Sequence, residues 1–252
     1  MIDLKLAEMI AELATEARLA VIEDIPRFLF ARNVTSMFHF TSIKNLESIA
    51  ANGFLGRETL SAKNLNFTPS DEIRYEPILD GVCFSLSRPN YYMAARKIMS
   101  GHEMVLLELH GLSDLLTSYN FVASPGNFGS PLLKRKIESW PEDFIGGQGL
   151  MNMFANSEIR KKYLVPDFEP TDPQAEIIML ESVPWRYVSK IYFPNSASYS
   201  VNDQLTKIIR KLPTGVLLHG QVRDVFPDID WKDKEVVLEY NERRWSESWS
   251  IY

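Results

Sequence analysis

Short apolar runs punctuated by proline, glycine and small polar residues recur between residues 37 and 193. The runs Met37 to Thr41, Gly81 to Leu86, Val105 to Leu109, Tyr119 to Ala123, Ile177 to Leu180 and Val188 to Phe193 are rich in Phe, Val, Ile and Leu and predict strands. Helical spacing appears between them. Leu4 to Glu23 spaces its apolar residues as an amphipathic helix ending before Pro26, and Ile43, Leu46, Ile49 and Ala50 follow Ser42 as cap and stop at Gly53. Tyr91 to Met99, Leu112 to Leu116, Met151 to Tyr163 and Val201 to Leu212 predict further helices. Two stretches lack a pattern: Arg57 to Asp80, read as a long excursion between a helix and a strand, and Ser124 to Gly149, opened by a turn and marked by Gly146 and Gly147 as flexible points. Val165 to Pro173 alternates prolines with acids and predicts a loop delivering the chain to the next strand.

Strands and helices interleaved without regular alternation predict a single α+β domain, with a mixed central β-sheet and helices packed around it. Its expected parts are a helical appendage over residues 1–34, a core over 35–195, and a C-terminal helix and acidic tail over 196–252 packed on that core. No G-x-G-x-x-G and no P-loop joins a strand to a helix, which disfavours a Rossmann dehydrogenase and an ordinary ATPase. One cysteine, Cys83, excludes an internal disulfide, and the four histidines show no metal-ligand spacing, so no metal is expected and a reducing cytoplasm fits best. Asp3, Lys5, Glu8, Glu12 and Glu16 interrupt the N-terminal apolar residues, so neither an export signal nor a membrane span is expected. The net charge of −6 argues against broad attraction to a polyanion. Local basic clusters lie at Lys134 to Lys136, Arg160 to Lys162 and Lys207 to Lys211, where a solvated helix face is the alternative reading.

Four short motifs carry more information. They are His39-Phe40-Thr41 with the following helix Asn45-Leu46-Glu47-Ser48-Ile49 and its stop at Gly53-Phe54-Leu55; Val82 to Pro89; Phe121 to Asn127; and Gln174-Ala175-Glu176-Ile177 followed by Val183-Pro184-Trp185. In this order they resemble the DarT-type ADP-ribosyltransferases, toxins that attach ADP-ribose from NAD to bases of single-stranded DNA. The resemblance covers about Met37 to Phe193. Departures from the family pattern are Phe84 where a tyrosine is usual, the changed order of serine and arginine before Pro89, Asn90 in place of a methionine, and an altered turn around Asn127. They fall on nucleobase specificity more than on NAD chemistry.

The resemblance implies NAD as co-substrate and a set of roles. Breaking the nicotinamide–ribose bond builds positive charge on the sugar, which a carboxylate stabilises; Glu176 is the candidate, against the alternative of a strand-edge glutamate on a solvated face. His39 and Thr41 would hydrogen-bond the ribose or the nicotinamide amide, and Phe84 would stack on the nicotinamide ring, with ordinary core packing as the alternative. Arg74 sits where the family has a loop arginine needed for activity, and Arg88 competes with it for phosphate or substrate contacts or braces the turn. Asn127, Phe168 and Gln174 would meet the acceptor. The implied partners are single-stranded DNA and a macrodomain-type antitoxin that removes the ADP-ribose, in a toxin–antitoxin or phage-defence setting. RNA or a protein as acceptor, and a non-enzymatic interaction module on a degenerate scaffold, are the competing expectations.

Overall fold

The computed structural model describes residues 8–10, 12–14, 24–69, 78, 80–90, 93, 97, 104–192 and 217–219. Its centre is a seven-stranded sheet in the order β4-β5-β2-β1-β3-β6-β7, formed by β1 (Met37–Ser42), β2 (Val82–Leu86), β3 (Met104–Leu109), β4 (Phe121–Ser124), β5 (Glu176–Met179), β6 (Val188–Tyr192) and β7 (Leu217–His219). Neighbouring strands are antiparallel except β6 and β7, which run parallel, so the sheet is mixed and the fold α+β. β5 is late in the chain and yet lies between β2 and β4.

Successive side chains on a strand point to opposite faces. Met37, Phe84, Leu86, Leu107, Phe121, Ala123, Ile177 and Met179 therefore build a large cluster on one face, while Val122 and Ile178 join Ile10, Phe128, Leu133, Ile137 and Phe144 on the other. Burial on both faces explains why β3 (MVLLEL) and β5 (EIIM) read as nearly continuous apolar runs. Each such side chain taken from water stabilises the fold by about 1.5–3 kcal/mol.

The helices are α1 (Asp24–Ala31), α2 (Leu46–Asn52), α3 (Arg57–Ala62), α4 (Leu112–Ser118), α5 (Pro131–Ser139), α6 (Gly146–Asn152) and α7 (Ser157–Lys162), with residues 8–10, 12–14, 93 and 97 also helical. Several differ from the sequence pattern. Pro26, read as a stop, lies within the first turn of α1, where a missing N–H breaks no helical bond. Ile25, Leu29 and Val34 enter the core on the larger face, so the chain before residue 35 contributes to it. The excursion after Arg57 contains α3, which buries no residue and so leaves no apolar stripe to read.

Gly146 and Gly147 are buried in α6, and a Cβ at nearby Gly149 would stand 2.3 Å from the Phe144 carbonyl oxygen. Gly149 thus permits the close approach of α6 to the turn that ends at Phe144, and the glycines lie inside a helix rather than at a flexible point. The single helix expected over Met151 to Tyr163 is broken: α6 ends at Asn152, and Asn156, at φ +67°, caps α7 by accepting from the Ile159 N–H at 3.2 Å. Most of the helix expected over Tyr91 to Met99, the helix over Val201 to Leu212 and the acidic tail lie outside the described residues. Among the described residues no helix is long and apolar enough to cross a membrane.

Candidate active site

β1 and β2 pair only through Met37 with Leu86 and Phe38 with Ser85, although β1 continues along β3 to Ser42 with Met104. Where the β1–β2 ladder ends, the His39 imidazole takes over: its Nδ1 stands 2.9 Å from the Cys83 carbonyl oxygen. A carbonyl only accepts, so Nδ1 carries the proton and Nε2 of the neutral ring is an acceptor. The divergence opens a cavity of about 200 Å³ whose walls include His39 and Thr41 from β1 and Cys83, Phe84 and Ser85 from β2. Its floor is a triangle of rings. His39 and Phe54 lie 5.2 Å apart edge to face, and Phe84 stands 5.3 Å from each, geometries favoured by ring quadrupoles.

Glu176 is the first residue of β5 and pairs with Ser85 on one side and Ser124 on the other. By strand alternation it occupies the face opposite to His39 and Phe84. All three nevertheless line one cavity, because the parted strands connect the two faces. Glu176 is 8% exposed, Thr41 4% and Phe84 2%. Among the described residues the titratable side chains on the cavity wall are Glu176, His39, Cys83, Arg57 and Lys97.

Two clamps shape the rim. Asn45 donates through Nδ2 to Thr41 Oγ1 (2.9 Å) and to the Thr68 carbonyl (2.8 Å), while its Oδ1 accepts the Thr68 N–H at 2.7 Å. Phe67, Thr68 and Pro69 are thereby held as a wall. Gly53, at φ +76°, lets Phe54 form a backbone bridge with Val183: a Cβ on Gly53 would stand 2.6 Å from the Val183 carbonyl oxygen. Neither Asn45 nor Phe54 was singled out from the sequence beyond its place in a motif.

A second group of candidates gathers beside the cavity. Arg88 pairs with Glu169 (Nε to Oε1, 2.6 Å), lies 5.7 Å over the Phe168 ring, and is not on the large cavity's wall. Ser87 donates to the Phe168 carbonyl. Arg160, named with a basic cluster, donates to the Glu169 and Pro166 carbonyls at 2.8 Å; burial foremost, then Arg32, holds its pKa below the usual guanidinium value. These bonds pin the loop before β5. Asn127 donates to Gln174 Oε1 at 3.3 Å, which joins the turn after β4 to the residue two before Glu176. Gln174 is 3% exposed, and among the described residues its Nε2 has no hydrogen-bond partner. Arg74 lies outside the described residues. Among the described residues, no group of three or more His, Cys, Asp or Glu side chains is placed to hold a metal ion.

No protein-family model matches the chain, and no curated protein matches it. Among solved structures it is similar to Thermosipho africanus DarTG in complex with ADP-ribose, at 15% identity and a TM-score of 0.50, over 76% of this chain and 51% of that one. The chain thus spans about half the length of that protein. It is also similar to Thermus sp. 2.9 DarT in complex with NAD+, at 16% identity and a TM-score of 0.45 over 76% of this chain and 96% of that one. A third structure, Thermus sp. 2.9 DarT in complex with ADP-ribosylated ssDNA, shares 15% identity with a TM-score of 0.44 over 77% and 96%. The fold is that of the DarT-type ADP-ribosyltransferases.

Proposed function

We propose that the protein is a NAD-dependent ADP-ribosyltransferase that transfers ADP-ribose to a nucleobase of single-stranded DNA, as a cytoplasmic toxin of a toxin–antitoxin or phage-defence system. The observation that carries this reading is the cavity between β1 and β2, where the described wall brings the carboxylate of Glu176 together with Arg57, Lys97, His39 and Thr41. NAD carries a diphosphate between its two nucleosides and a cationic nicotinamide at one end, which suits such a wall. The similar DarTG was solved with ADP-ribose.

In the reaction the bond between ribose C1′ and the nicotinamide nitrogen breaks, and nicotinamide leaves with the bonding pair. Glu176 stabilises the positive charge developing on the ribose, in a site closed enough for the attraction to act at short range. His39 Nε2 and the Thr41 hydroxyl orient the ribose or the carboxamide, and Phe84 with Phe54 supplies an apolar wall. A base nitrogen then attacks C1′ and gives up its proton, which Glu176 is placed to accept. The loop of residues 165–175, with Phe168, Gln174 and Asn127, faces the acceptor. Its acidity is largely spent internally: Glu169 binds Arg88, and Asp172 Oδ1 accepts the Gln174 N–H at 2.7 Å, so of its acids only Asp167 is exposed.

Incubation with labelled NAD and separate DNA, RNA and protein pools tests the reading. Label in single-stranded DNA, lost in Glu176→Ala together with growth inhibition, is expected; label in protein alone would overturn the DNA assignment. The second reading is an RNA or protein acceptor, of which the net charge of −6 favours the protein. An active toxin requires a neutralising partner, and a macrodomain protein that removes ADP-ribose is the expected one.

A further inference from the structure

We infer that Arg57 is the residue that grips the diphosphate of the bound dinucleotide and fixes which end of it faces Glu176. This deepens the NAD reading above and rests on it. Arg57 opens α3, is half-buried on the wall of the cavity, and its guanidinium makes no hydrogen bond, ion pair or ring contact among the described residues. A guanidinium on a cavity wall with no protein anion paired to it is available to an anionic ligand.

Asp80, the described carboxylate beside the start of α3, is engaged elsewhere. Asp80 lies against Gly56, where a Cβ would meet its carbonyl oxygen at 1.9 Å and its Oδ1 at 2.1 Å. Both carboxylate oxygens of Asp80 are taken by Thr59, Oδ1 accepting the backbone N–H at 2.9 Å and Oδ2 the hydroxyl at 2.5 Å. Asp80 thus anchors the start of α3 and leaves the positive charge of Arg57 for a ligand. Glu58, its neighbour in sequence, is exposed.

Position completes the argument. Along β2, Val82 adjoins the Asp80 end and Ser85 pairs with Glu176, so the two ends of the cavity are separated by about 10 Å at the usual strand rise. That is the scale of a ribose joined to a diphosphate. A guanidinium binds phosphate oxygens through a planar fork of donors and so fixes orientation as well as charge. With the diphosphate held by Arg57, ribose C1′ reaches Glu176, and the adenosine end is left toward the wall of Phe67, Thr68 and Pro69.

Equilibrium binding of ADP-ribose, NAD and nicotinamide riboside, which has no phosphate, to the full chain and to Arg57→Gln and Arg57→Lys tests this, with circular dichroism as the check on folding. Arg57→Gln should weaken ADP-ribose and NAD about ten- to a hundredfold, the scale of a lost charge-assisted pair, and leave nicotinamide riboside within about twofold. Arg57→Lys should recover part of the loss. Equal ADP-ribose affinity in wild type and Arg57→Gln would overturn the role of Arg57 and spare the NAD reading. A wild-type protein that binds neither ADP-ribose nor NAD would overturn both.

Discussion

Glu176 owes its setting to a register: opposite Ser85 and Ser124, it stands where β5 begins and the cavity opens. Replacement by Gln keeps the shape and removes the charge. Glu176→Gln should lower ADP-ribose transfer by at least about a hundredfold while ADP-ribose affinity changes little, because the charge matters most when C1′ becomes positive. Comparable turnover in the two proteins would remove Glu176 from the mechanism. His39 has an architectural task. Its Nδ1–H satisfies the Cys83 carbonyl where the β1–β2 ladder stops, so His39→Phe leaves that carbonyl without its donor. The expected cost is about 1–3 kcal/mol in denaturant unfolding, in addition to any effect on NAD affinity.

At the level of elements, the rim depends on the Asn45 side chain, which joins the 3-10 turn Ile43–Asn45 to Thr68 by two bonds and to Thr41 by a third. Asn45→Ala should speed proteolytic cleavage near residues 65–69 and raise KM for NAD more than it lowers kcat; unchanged cleavage would show that the wall stands without the clamp. The strands were legible in the sequence because their apolar alternation or continuous burial is strong, and Glu176 because a carboxylate beside Gln174 and Ala175 belongs to a familiar motif. Other features left no local trace. α3 buries nothing, so no stripe marks it; the break at Asn156 depends on one left-handed residue; and buried glycines in α6 look, in one dimension, like a hinge. Arg57 was passed over for a related reason. Its distinction is three-dimensional: among the described residues its guanidinium has no partner, while the Asp80 carboxylate accepts from Thr59.

For the whole molecule, the clearest pH dependence comes from Tyr187. Burial foremost, then its hydrogen bond to Asp114 at 2.5 Å, raises the phenol above its ordinary value of 10.0, with Arg186 pulling the other way. The folded pKa exceeds the unfolded one, so this contribution is present in full below about pH 10 and is lost as pH rises through the folded value. Stability measured above pH 10 should therefore fall more steeply in the wild type than in Tyr187→Phe; parallel curves would assign the alkaline loss to other groups. The sheet order has a consequence for synthesis as well. A growing chain displays β1, β2, β3 and β4 well before β5 emerges, and until then β2 and β4 each present an unsatisfied edge facing the gap that β5 will fill. The described residues that line the cavity are all made by Met104 except Glu176, which arrives with β5. A nascent chain therefore lacks this carboxylate until roughly 70% of it has been made, and a chain stalled earlier presents open strand edges in place of a finished site.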